Sequence, residues 1–137
     1  AKVIDMRKIL ADRRYCECHL WFKPQGEEEG LLGLTDYAQA RLGDLISAEL
    51  PRVGVALASD DTLVYLEGLL EAAEVTCPAN LQVLEINPRL EINPELINSS
   101  PYENGWIARV KFLGIPRWMD APAYARYLEN GSITVGA

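Results

Sequence analysis

No stretch of about 18 consecutive apolar residues occurs in the chain, so no segment is suited to cross a bilayer as a helix. Basic residues are in short supply: 13 Lys and Arg stand against 20 Asp and Glu, giving a formal net charge of −7. That balance argues against a nucleic-acid partner, because a phosphate backbone is held by Lys and Arg that displace its counterions. The first residues, Ala1 to Arg14, have scattered charges in place of the basic end and apolar core of a secretion leader, so a cytoplasmic address is expected. Cysteine is scarce as well: three copies cannot all pair within the chain, and thiols in a reducing compartment are expected. No Ser-His-Asp order, Gly-rich phosphate loop or separated carboxylate pair in an apolar setting rises above background.

What is present fits one ordinary domain. A chain of 137 residues with 49% hydrophobic and 24% charged residues has a globular composition. At that length it buries roughly two thirds of its unfolded surface without staples. Its acidic surface suits partners with basic patches.

The pattern along the chain is mostly of short strands. Good helix formers run from Met6 to Arg14. The aromatic-rich stretch Tyr15 to Phe22 reads as a strand entering a turn at Lys23-Pro24-Gln25-Gly26. After a solvated run at Glu27, Glu28 and Glu29, Leu31 to Leu34 reads as a second strand. Thr35 is placed to cap a short helix over Asp36 to Leu42, and Gly43 to stop it. Asp44 to Leu50, Leu81 to Ile86 and Trp106 to Phe112 read as extended, with loops at Asn87-Pro88 and Asn93-Pro94. Ala121 to Glu129 reads as a helix that stops at Asn130-Gly131. Thr62 to Val75 is the exception to this strand-rich pattern. Leu66, Leu69, Leu70 and Ala73 fall at i, i+3, i+4 and i+7, the spacing of an amphipathic helix.

Gly33-Leu34-Thr35-Asp36-Tyr37-Ala38-Gln39-Ala40-Arg41-Leu42-Gly43-Asp44 resembles a stretch of the glycine cleavage H protein family, G-I-T-x-Y-A-Q-x-x-L-G-D. Glu49-Leu50-Pro51 with Val53-Gly54 resembles the E-L-P-x-x-G that follows in that family. Pro94-Glu95-Leu96-Ile97-Asn98, Pro101-Tyr102 and Gly105-Trp106-Ile107 are similar to its late block. His19 and Trp21 fall near its H-E-W, with Leu20 in place of the acid. The motifs keep their order from about residue 15 to 128.

The resemblance implies a mainly β, lipoyl-domain-like barrel-sandwich hybrid with a short helix near 35–43 and a C-terminal helix near 121–130. It sets an N-terminal arm over 1–14, a single domain over 15–130 and a tail over 131–137. In such a protein a β-hairpin carries a lysine joined to lipoic acid, and the arm takes an aminomethyl group between the glycine cleavage enzymes. The family's hairpin reads approximately E-S-V-K-A-x-S-D-[IL]-Y-x-P. Glu67, Glu74 and Pro78 hold the ungapped register, which places Leu70 where the lysine belongs. Lipoylation forms an amide and needs a primary amine, which leucine lacks. The lysines are Lys2, Lys8, Lys23 and Lys111, with none between Leu31 and Val110. Lipoate is therefore the family's cofactor but not attachable here, and no cofactor is expected.

The leading expectation is a non-catalytic interaction or regulatory module with protein partners, the glycine cleavage enzymes among them by resemblance. Its partner-contact candidates are Glu67, Leu69, Leu70, Glu71 and Glu74. The two leucines either form an exposed apolar contact or pack on the body, and the glutamates are either a solvated face or a selector of basic surfaces. Cys16-Glu17-Cys18-His19 is a weak metal or redox candidate: on one strand Cys16 and Cys18 share a face that His19 does not. Cys77 joins that alternative only if the fold brings the hairpin base alongside. His19 is read as structural.

Overall fold

A computed structural model describes residues 4–136, with side chains described as far as Asn130. A 3-10 turn at Met6–Lys8 precedes β1 (Arg14–Tyr15), β2 (Leu20–Pro24) and β3 (Glu29–Leu34). Next come α1 (Asp36–Leu42), β4 (Leu45–Glu49), β5 (Ala56–Leu57), β6 (Thr62–Gly68), β7 (Ala72–Thr76) and β8 (Leu81–Ile86). The chain continues with α2 (Arg89–Ile92), α3 (Leu96–Ser99), β9 (Ala108–Phe112) and α4 (Ala121–Gly136). Antiparallel pairing builds a six-stranded sheet in the order β1-β2-β3-β9-β8-β5 and a three-stranded sheet in the order β4-β6-β7. This is the mainly β, lipoyl-domain-like architecture expected.

The main core lies between the sheets, where Leu20, Leu32, Leu34, Val83 and Val110 meet Val64, Leu66 and Val75. Strand alternation sends Leu20 and Phe22 into this core and Trp21 to the opposite face. There Trp21 joins a second cluster with Ile9, Tyr15, Tyr124, Ala125 and Leu128. β2 is thus covered on both faces, which accounts for its run of consecutive buried residues.

α1 follows its sequence signals. The Thr35 hydroxyl accepts the Ala38 N–H, and Gly43 ends the helix at φ +75°, its N–H donating to Gln39 O. Other segments differ from the pattern. Met6 to Arg14 forms one 3-10 turn and then a second turn at residues 11–12, because a run that short does not repay the cost of helix nucleation. The expected strand from Tyr15 to Phe22 is broken by a tight turn at 16–19, where His19 takes φ +66°. The loops expected at Asn87-Pro88 and Asn93-Pro94 open one-turn helices, α2 and α3. The buried Asn87 side chain organises the first of them, donating to Asn104 O and Trp106 O and accepting from Arg89 N–H. α4 continues through Asn130 and Gly131 to Gly136, since glycine stops a helix only by turning left-handed and otherwise costs about 1 kcal/mol.

The arm expected over 1–14 is packed on the body: Ile4 and Ile9 enter the second cluster, and Tyr102 Oη donates to Lys8 O. Ala1 to Val3 lie outside the described residues, as does the end of the tail at Ala137.

Candidate functional site

The segment with helical spacing is a hairpin. β6 and β7 pair with Val64 opposite Val75, Leu66 opposite Ala73 and Glu67 opposite Ala72. The period of two sends Val64, Leu66 and Val75 inward and leaves Glu67 and Glu74 exposed. Gly68 N–H donates to Glu71 O at 2.9 Å, so Leu69 and Leu70 are the central residues of the turn. They are 67% and 72% exposed, and Glu71 beside them is exposed too. Four of the five partner-contact candidates, Glu67, Leu69, Leu70 and Glu71, therefore lie at one hairpin tip, and Glu74 lies further down β7, opposite Tyr65.

The tip does not project freely. Leu70 and Glu71 N–H donate to Leu42 O, at 2.9 and 3.3 Å, and Leu69 N–H donates to Asp44 O at 3.0 Å. The hairpin is thereby tied to the C-terminal end of α1, whose last carbonyls lack partners within the helix. Two glycines permit this approach. A Cβ on Gly68 would lie 2.1 Å from Leu42 O, and one on Gly43 would lie 2.7 Å from Leu70 Cγ.

The platform under the tip is held by Asn98 of α3. Its Oδ1 accepts Leu45 N–H at 2.8 Å, and its Nδ2 donates to Gly43 O at 2.9 Å and Gln39 Oε1 at 2.8 Å. Leu42, Gly43, Asp44 and Asn98 thus belong to the site beside the five candidates. Two of the motifs that carry the family resemblance end on these residues, one in Leu42-Gly43-Asp44 and one in Asn98.

The cysteine cluster lies elsewhere and differs from expectation. Cys16 and Cys18 form a disulfide rather than two thiols, with Cα atoms 5.2 Å apart, because the turn faces both side chains to one side. Cys77, at the base of β7, is a buried thiol lining the same cleft of about 770 Å³ as the disulfide. Burial, with a smaller contribution from the charge of Asp61, pushes the Cys77 thiol up to about 12. Among the described residues no three His, Cys, Asp or Glu side chains converge as a metal-binding set.

His19 serves the structure. Its Nδ1 lies 2.8 Å from Tyr124 Oη, whose hydroxyl also shares a hydrogen bond with Thr35 Oγ1. Its ring packs with those of Tyr37 and Tyr127. A second cleft of about 360 Å³ runs from Cys18 and His19 past Arg41 to Glu71 and Glu74. Among the described residues, no helix is long and apolar enough to cross a membrane.

Comparison with known proteins agrees with this geometry. A family model described as glycine cleavage H-protein matches residues 13–131. A probable glycine cleavage system H protein of Thermococcus gammatolerans is 43% identical over 127 residues, covering 90% of this chain and 94% of its own. A glycine cleavage system H protein of Ruthia magnifica subsp. Calyptogena magnifica is 36% identical over 124 residues, covering 90% of this chain and all of its own. The crystal structure of such a protein from Mycobacterium marinum superposes with a TM-score of 0.80 at 28% identity, covering 90% of this chain and 99% of its own.

Proposed function

The chain belongs to the glycine cleavage H-protein family, and from that premise we propose that it is a lipoyl-free member, an interaction module that presents the Leu69-Leu70 tip to protein partners and carries no aminomethyl group. The observation that carries this reading is the residue at the tip. Leu70 is a central residue of the turn, at the position that the ungapped register assigns to the family's lysine. A lipoyl group does not fit there, since amide formation needs a primary amine. Lys8, Lys23 and Lys111 lie in the 3-10 turn, in β2 and in β9, away from the β6–β7 hairpin.

The surroundings of Leu70 support the same conclusion. Where the family has serine before its valine and lysine, this chain has Gly68, in a place where any Cβ would meet Leu42 O. The tip is thus fitted closely to α1 and differs from the carrier hairpin at more than one position. Its two exposed leucines, bordered by Glu67, Glu71 and Glu74, suit a partner with an apolar recess in a basic rim, and the glycine cleavage enzymes are the partners that family membership suggests.

Co-expression with a lipoate ligase followed by intact mass measurement tests the reading. The parent chain is expected to keep its mass, while Leu70→Lys acquires one lipoyl group in part of the population. A parent chain that gains a lipoyl group would sink the proposal.

A further inference from the structure

The Cys16–Cys18 disulfide lacks the usual structural justification. It spans one residue, and the restraint a cross-link puts on the unfolded chain grows with the loop it closes, so this one restrains very little. The turn is already closed by backbone hydrogen bonds from Cys16 N–H to Leu20 O, at 3.2 Å, and from His19 N–H to Cys16 O, at 3.0 Å. The domain has two hydrophobic clusters of its own.

Three further observations point to chemistry. The two cysteines are unequally covered: Cys16 is 4% exposed within the main core, while Cys18 is half-buried. Both cysteines line the open cleft of about 770 Å³, with Asp60 and Arg117 on its walls. His19, the residue after Cys18, takes a left-handed backbone at φ +66°, which turns the chain back and sets Cys18 at the mouth of the cleft.

We propose that Cys16–Cys18 is a redox-active disulfide that exchanges with a dithiol small enough to enter this cleft. An incoming thiolate attacks Cys18 Sγ, the Cys16–Cys18 bond breaks, and the electron pair leaves on Cys16 Sγ, which takes a proton. The second thiolate of the dithiol then attacks its own sulfur in the mixed disulfide, and Cys18 leaves as a thiolate and is protonated. In sum the chain's disulfide gains two electrons and two protons, and the dithiol becomes a disulfide. Cys77 takes no part: its raised pKa keeps it a thiol, so it does not scramble the pair.

The test uses the full oxidised chain, equilibrated in native buffer with graded ratios of reduced to oxidised dithiothreitol, quenched in acid and alkylated for mass analysis. Two thiols are expected to appear together in one reversible two-electron step, with Cys77 blocked only after denaturation. Single variants assign the attacked sulfur. With 5,5′-dithiobis(2-nitrobenzoate), Cys16→Ser is expected to react through Cys18 at least ten times faster than Cys18→Ser reacts through Cys16. A disulfide that opens only in denaturant, fails to re-form, or shows equal rates in the two variants would overturn the proposal. None of these readouts depends on lipoylation.

Discussion

Replacing Gly68 by alanine sets two physical expectations against each other. Gly68 is not among the residues with positive φ, so alanine fits its backbone and, by limiting the unfolded chain, should stabilise by roughly 0.4–1 kcal/mol. The new Cβ would, however, lie 2.1 Å from Leu42 O and 2.8 Å from Leu42 C. Those neighbours are backbone atoms, so no rotamer change relieves the contact, and the tip must lift from α1. Lifting breaks the hydrogen bonds from Leu69, Leu70 and Glu71 N–H, each worth about 1 kcal/mol net. With the alanine gain set against them, Gly68→Ala is expected to destabilise by about 2 kcal/mol. In urea this moves the midpoint down by about 1 M at the slope of a small domain. Amide exchange should quicken at residues 69–71 and stay unchanged at residues 83 and 110 in the larger sheet. A variant as stable as the parent, or with its tip amides still protected, would refute the account of how the hairpin is held.

Two further outcomes follow from buried polar groups. Tyr124→Phe removes the hydroxyl shared by Thr35 and His19 and should cost about 1–3 kcal/mol in thermal or urea unfolding. Thr35→Ala also loses the helix cap, so the double variant should cost less than the two single costs together, a coupling that a double-mutant cycle measures. Stability should decline above about pH 9. There the unfolded chain releases the Cys77 proton that the fold retains up to about 12, so unfolding gains from every rise in pH across that window, by at most about 1.4 kcal/mol per unit for this group. Tyr15, Tyr102 and Tyr124, raised chiefly by burial, act in the same direction from about pH 10. Urea titrations of the parent and Cys77→Ala from pH 8 to 11 check the sign, and a parent whose stability is flat over that range would count against it.

What could be read from the sequence depended on how local its cause was. α1 was bounded correctly because Thr35 and Gly43 act within one turn of it. The hairpin was concealed from pattern reading because Leu69 and Leu70, exposed at its tip, completed a helical series with the inward-facing Leu66 and Ala73. The family register carried the information that periodicity lacked. The turn at Cys16 to His19 had no glycine, proline or asparagine to announce it, and aromatic neighbours made it look like strand. Only a bend there brings Cys16 and Cys18 together, so an unrecognised turn was also an unrecognised disulfide. α2 and α3 are single turns, too short to show a period. Asn98 could not be assigned its place from sequence, since its partners Gln39, Gly43 and Leu45 lie more than fifty positions away.

The second cluster joins residues from opposite ends of the described chain. Ile4 and Ile9 pack with Tyr124, Ala125 and Leu128, while Tyr15 stacks on Tyr124 at 4.8 Å and exchanges two backbone hydrogen bonds with Met119. The segment from Ile4 to Tyr15 and the C-terminal helix are therefore expected to open together, each losing its seat when the other peels away, with the two-sheet body persisting beneath them.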